Sequence, residues 1–154
     1  MKLKPIVVVF IIFFCFLAWL PHSFASSENI KWYSYDEGMA LGKNEEKKVF
    51  LYFYADWCPY CVKMGKETFK DPLVINYLNN YFIAIQVNAD KETKIASDYY
   101  VRGLPSNWFI TENGEKISNR PGYIPPDMLV NMLKFIQTDS YQKMTFIKFM
   151  EGMQ

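Results

Sequence analysis

Two cysteines three residues apart, Cys58 and Cys61, are the side chains in this sequence best suited to covalent chemistry. A thiol is a useful nucleophile only as thiolate, and a helix N-terminus stabilises that charge through its unpaired N–H groups and its dipole. Ala55-Asp56-Trp57-Cys58-Pro59-Tyr60-Cys61 follows a continuous apolar run and precedes a helix-like stretch reaching Phe69. Pro59 is compatible with that helix only in its first turn, where no N–H is needed. The spacing therefore predicts Cys58 at the helix N-terminus and Cys61 one turn further in. A step of three lets Cys61 approach Cys58, so Cys58 reads as the attacking thiol and Cys61 as the one that resolves a mixed disulfide.

Other uses of two thiols are weaker. A structural staple closing so short a loop gains only about 2 kcal/mol in the chain-entropy picture. A structural zinc site wants four ligands, and the only histidine is His22, while the third cysteine is Cys15. Copper(I) carriage on the two thiols, with methionines such as Met64 nearby, remains an alternative of a different class, although methionine at helical spacing more often fills a core.

Both His22 and Cys15 fall in a segment with the form of a secretory signal peptide. Lys2 and Lys4 precede an uninterrupted apolar run over residues 6–20, and Ser23 and Ala25 supply small residues for a peptidase. That run is short of the roughly 20 residues that span a bilayer, so cleavage after Ala25 is expected; an uncleaved inner-membrane anchor is the alternative. A lipoprotein is disfavoured because residues 12–14, before Cys15, lack a small side chain. Residues 1–25 hold two lysines and no acid, so their removal leaves 129 residues with 15 basic and 16 acidic side chains. Such a near-neutral chain gives no electrostatic reason to bind nucleic acid. Its lack of histidine removes the usual general base and the commonest imidazole ligand.

The whole chain has 154 residues, 51% hydrophobic and 18% aromatic, which suits one globular domain and excludes a disordered chain. Residues 30–33 read as a short strand. Ser34 with Glu37 has the capping-box form that opens a helix to about Gly42. Residues 49–54 form a strand buried on both faces. Asp71-Pro72 starts another helix, with Leu73, Val74, Tyr77 and Leu78 as its apolar face. Residues 82–87 read as a strand, 91–100 as a helix and 107–111 as a strand. Asn113-Gly114 then turns a hairpin into residues 116–118, and Pro125-Pro126-Asp127 opens a helix to Gln137. The order β-α-β-α-β-α-β-β-α gives parallel pairing through its crossovers and one antiparallel hairpin. The fold class is α/β: a central mixed sheet with helices on both faces. Residues 26–138 should form this domain, and residues 139–154, with Tyr141, Phe146, Phe149 and Met150, a helical extension.

Trp57-Cys58-Pro59-Tyr60-Cys61 after an apolar strand, with Gly103-Leu104-Pro105 before the hairpin, resembles the thioredoxin superfamily. Tyr54-Ala55-Asp56-Trp57-Cys58, Thr68-Phe69 and Asp71-Pro72 are similar to the C-terminal periplasmic domain of DsbD-type transmembrane electron carriers and to stand-alone secreted thioredoxin-related proteins. The resemblance covers residues 32–137. It implies a thioredoxin-like fold in which Cys58 and Cys61 are the catalytic redox pair, Pro105 is a cis-proline facing it, and Leu104 pairs through its backbone with an incoming peptide. Gly122 keeps the neighbouring loop open, and Trp57, Pro59 and Tyr60 complete the substrate-binding surface. No cofactor or metal is implied.

Two positions depart from the family pattern. A buried acid usually lies six residues before the first cysteine, where this chain has Tyr52, and close relatives often carry a glutamate four residues after the second, where it has Gly65. Glu67 and Asp56 are near in sequence but read as solvated charges. The expected activity is extracytoplasmic thiol-disulfide exchange, in the periplasm or secreted, reducing disulfide-bonded protein substrates with electrons from a membrane donor of the DsbD kind. An oxidant or an isomerase is the enzymatic alternative.

Overall fold

The structure, a computed structural model, describes residues 28–153. The expected signal segment, residues 1–25, lies outside them. Among the described residues no helix is long and apolar enough to cross a membrane.

The elements run β1 (Trp32–Tyr33), α1 (Tyr35–Asn44), β2 (Lys48–Tyr54), α2 (Pro59–Lys66), a 3₁₀ turn (Thr68–Lys70), α3 (Pro72–Tyr81), β3 (Phe82–Asn88), α4 (Thr93–Asp98), β4 (Ser106–Ile110), β5 (Lys116–Pro121) and α5 (Pro126–Gln137). A second 3₁₀ turn (Ser140–Gln142) and α6 (Phe146–Glu151) follow. The sheet order is β1-β3-β2-β4-β5. β3 pairs parallel with both β1 and β2, whereas β4 pairs antiparallel with both β2 and β5.

The central position of β2 explains its unbroken apolar sequence. Phe50 and Tyr52 face a core built with Cys61 and Met64 of α2, Val74, Ile75 and Leu78 of α3, and Leu129, Leu133 and Ile136 of α5. Val49, Leu51 and Phe53 face the opposite core, with Ile83, Ile85, Val87, Ala96 and Tyr99 and the partly buried Met39 and Leu41 of α1. Strand side chains alternate between faces, so a strand covered by helices on both sides has no position to leave polar. α1 approaches the sheet so closely that a Cβ on Gly38 would overlap the Ile85 side chain.

Several local expectations are refined. α1 starts after Ser34, but the serine hydroxyl makes no capping bond, and Asp36 and Glu37 in the first turn complement the helix dipole instead. In α3 the buried face is Val74, Ile75 and Leu78, with Leu73 65% exposed. At about 100° per residue, Leu73 falls nearly opposite the centre of that face. α4 starts later than residue 91 because the Asn88 side chain accepts from the N–H groups of Asp90 and Lys91, at 3.1 and 3.4 Å, and shapes a turn before the helix, and it ends at Asp98, before Tyr100 turns to φ +52°. The hairpin turns at Asn113-Gly114, where Gly114 takes φ +88° and Thr111 N–H bonds to Glu115 O at 2.8 Å. After α5, the rings of Phe146 and Phe149 lie 5.4 and 5.2 Å from that of Phe135.

Asp71 caps α3 by accepting from the N–H groups of Leu73 and Val74, at 2.9 and 3.1 Å. Asp71→Ala is expected to cost about 1 kcal/mol, read as a lowered urea midpoint with an unchanged m-value. An unchanged midpoint would show that water replaces the cap without loss.

Candidate functional site

The end of β2 delivers the chain to the two cysteines. Cys58 is the N-cap of α2, with extended backbone angles, and Pro59 occupies the first helical position. Cys58 and Cys61 are joined by a disulfide, with Cα atoms 5.2 Å apart. The Cys61 N–H points at Cys58 Sγ from 3.1 Å. This is a capping contact in which sulfur replaces the usual oxygen, and it would strengthen when Cys58 carries a thiolate charge. The two cysteines are only 2% and 6% exposed, beside the projecting rings of Trp57 and Tyr60 at 70% and 60%.

Strand pairing brings the second part of the site to the same end of the sheet. Phe53 of β2 is in register with Ser106 of β4, and Ser106 with Pro121 of β5. Leu104-Pro105 and Gly122, the residues flanking these pairs, therefore border the loop that leads into Cys58. The Leu104–Pro105 peptide is cis, Pro105 is buried and Leu104 half-buried. Gly122, at φ +87°, donates its N–H to Pro105 O at 2.7 Å.

Other contacts around this end join residues far apart in the chain. Trp57 Nε1 donates to Asp90 Oδ2 at 2.7 Å, tying the exposed indole to the turn after β3. Asn107, fully buried in β4, donates to the carbonyls of Arg120 and Gly122 at 2.8 and 3.1 Å. Its one visible signal is a polar side chain inside an apolar strand. Thr68 Oγ1 donates to Ile124 O at 2.6 Å, fastening the Gly122 loop to the segment after α2. Tyr123 OH donates to Glu67 Oε2 at 2.6 Å, and that bond holds the tyrosine proton above its usual range.

The two departures from the family pattern acquire a shape. Tyr52 is buried and donates its hydroxyl toward Cys61 O at 3.4 Å, with its ring stacked on Tyr54. Burial, helped by Tyr54, pushes its phenol far above the ordinary tyrosine range, so it is a neutral donor and not a proton acceptor. Gly65 lines an open cleft of about 480 Å³ whose wall includes Trp32, Tyr52, Tyr54, Cys61 and Phe69. Glu67 is engaged with Tyr123, and Asp56 pairs with Lys91 at 3.4 Å on the surface. Met64 is fully buried in the core.

A mixed five-stranded sheet with a disulfide at the N-terminus of the helix after its central strand defines a thioredoxin-fold redox protein. Residues 35–137 match the sequence model of the thioredoxin-like domain, and the chain belongs to that family. It is 38% identical over 91 residues to the chloroplastic thioredoxin-like protein CITRX of Oryza sativa subsp. indica, covering 57% of this chain and 47% of that one. It is 34% identical over 101 residues to the thiol:disulfide interchange protein DsbD of Vibrio vulnificus strain CMCP6, covering 63% of this chain and 16% of DsbD. The chain thus spans about half the length of the first relative and a small part of the second. A thioredoxin from Thermus thermophilus superposes with a TM-score of 0.64 at 28% identity, over 70% of this chain and 87% of that one. The Cys58-Cys61 pair is accordingly a thiol-disulfide redox couple on a fold of thiol-disulfide oxidoreductases.

Proposed function

We infer that the protein is an extracytoplasmic protein-disulfide reductase. The observation that carries the exchange chemistry is the Cys61 N–H aimed at Cys58 Sγ from 3.1 Å at the start of α2, and the reducing direction rests on the similarity to part of DsbD. That contact favours a thiolate on Cys58, the sulfur beside the projecting Trp57 and Tyr60. Cys58 attacks one sulfur of a substrate disulfide, and the other leaves as a thiolate. Cys61 then attacks Cys58 Sγ, the bond between Cys58 and the substrate breaks, and the second substrate thiol is released. Two electrons pass to the substrate and the protein retains the Cys58-Cys61 disulfide. Trp57, Pro59, Tyr60, Leu104, Pro105 and Gly122 form the surface that receives the substrate peptide.

Export is supported by Lys2, Lys4, the apolar run of residues 6–20 and the small residues Ser23 and Ala25. An exported reductase cannot draw on cytoplasmic thiols directly, so its disulfide must be reduced by a membrane dithiol donor. The similarity to part of DsbD, a thiol:disulfide interchange protein, supports a donor of that kind.

Acid quenching of cells followed by thiol trapping should find Cys58 and Cys61 mostly reduced, in a protein whose intact mass begins at Ser26. A mostly oxidised pair would overturn the reductase reading in favour of an oxidant, and a full-length membrane-embedded species would overturn cleavage.

A further inference from the structure

We propose that the cleft beside Cys61 is the port through which the resolving thiol gives up its proton to solution, and that Gly65 keeps this port open. The inference rests on the reading of Cys61 as resolver.

Cys61 and Gly65 are four residues apart on α2 and line the same cleft, as neighbours on one helix face do. Beyond its own helical turn and chain neighbours, no protein atom lies within 4 Å of where a Cβ on Gly65 would stand. Any side chain at this position would therefore project into the cleft. Gly65 stands in the last turn of α2 and leaves that space to solvent.

The titratable groups around the cleft do not supply a buried base. From β2, Tyr52 is neutral and already donates toward Cys61 O, and Tyr54 is stacked on it. From the loop before α2, Asp56 is 72% exposed and paired with Lys91. From the 3₁₀ turn, Lys70 donates to Asn29 Oδ1 at 2.7 Å. Among the described residues lining the cleft, Asp56 is the one carboxylate, and it sits in solvent. A volume of about 480 Å³ admits water and a small base such as imidazole.

In the resolving step the S–H bond of Cys61 breaks and its proton passes to hydroxide or a dissolved base in the cleft. The Cys61 thiolate forms a bond to Cys58 Sγ. The mixed-disulfide bond breaks, and its electron pair leaves on the other sulfur. With no buried acceptor among the described residues lining the cleft, removal of the proton from the nearly buried thiol limits the rate, and a small base that enters the cleft accelerates it.

Reduced protein is mixed rapidly with one equivalent of dithiobis(nitrobenzoate). The first coloured thiolate reports attack by Cys58, and the second reports resolution by Cys61. At fixed pH and ionic strength, the rate constant of the second release should rise several-fold across a series of imidazole concentrations, while the first stays flat. Gly65→Leu, which projects a branched side chain into the cleft beside Cys61, should slow the second release and weaken its dependence on imidazole; Gly65→Ala should keep it. A second release independent of imidazole in the unaltered protein would overturn the port. So would a Gly65→Leu protein that makes the first release normally and keeps the second release and its imidazole dependence undiminished. Complete absence of the second release would overturn the role of Cys61 itself, and the port with it.

Discussion

Cys61→Ala should convert the protein from a catalyst into a trap, with close to one substrate molecule disulfide-bonded to Cys58 per chain on a non-reducing gel. Cys58→Ala should trap nothing comparable and should lower insulin-disulfide reduction to the background of free thiols. The asymmetry follows from the N-cap. Cys58 Sγ receives the Cys61 N–H at 3.1 Å and stands at the positive end of α2, whereas Cys61 lies inside the helix. Backbone donates this hydrogen bond, so it survives replacement of the Cys61 side chain. Without Cys61, the mixed disulfide can be cleared only by an external thiol. An effective molarity of even about 1 M, far below the roughly 10⁵ M of well-oriented intramolecular reactions, exceeds a millimolar external thiol about a thousandfold. Equal trapping by the two variants would refute the order of attack.

The reduction potential of the Cys58-Cys61 couple should be less negative than thioredoxin's roughly −270 mV, and close to the about −200 to −230 mV of glutaredoxins. A carboxylate buried beside the pair would repel a thiolate and disfavour the reduced form in its charged state. Here the nearest buried polar side chain from β2 is the Tyr52 phenol, held neutral by its burial, and Gly65 has no side chain to offer. The Cys58 thiolate is therefore less opposed, the reduced form is stabilised, and the disulfide becomes a stronger oxidant. About 30 mV corresponds to about 1.4 kcal/mol for a two-electron couple, so one missing charge interaction suffices. Equilibration in glutathione buffers measures the value. A potential at or below thioredoxin's would mean that another group, with Glu67 the first to replace, puts negative charge on the pair despite its bond to Tyr123.

Much of the site was legible along the chain because its determinants are local. Cys58, Pro59 and Cys61 specify a helix start within four consecutive residues, and Asp71-Pro72 caps α3 through donors two and three residues on. The apolar run of β2 announces a strand buried on both faces before any partner is known. Where local pattern and structure differ, the cause is also local: Ser34 and Glu37 have the form of a capping box, but the Ser34 hydroxyl makes no capping bond, and Leu73 lies on the side of α3 opposite its buried face.

The placing of Cys58 and Cys61 at the start of a helix and the order in which strands and helices alternate follow from residues within a turn or a strand of one another. What surrounds the two sulfurs is set by packing between distant segments. Trp57 meets Asp90 across 33 positions, Tyr123 meets Glu67 across 56, and the Gly65 cleft is walled by β1, β2, α2 and the 3₁₀ turn. Such contacts arise because strand register and helix packing fold distant segments to one end of the sheet, and no local spacing encodes which side chains will meet there.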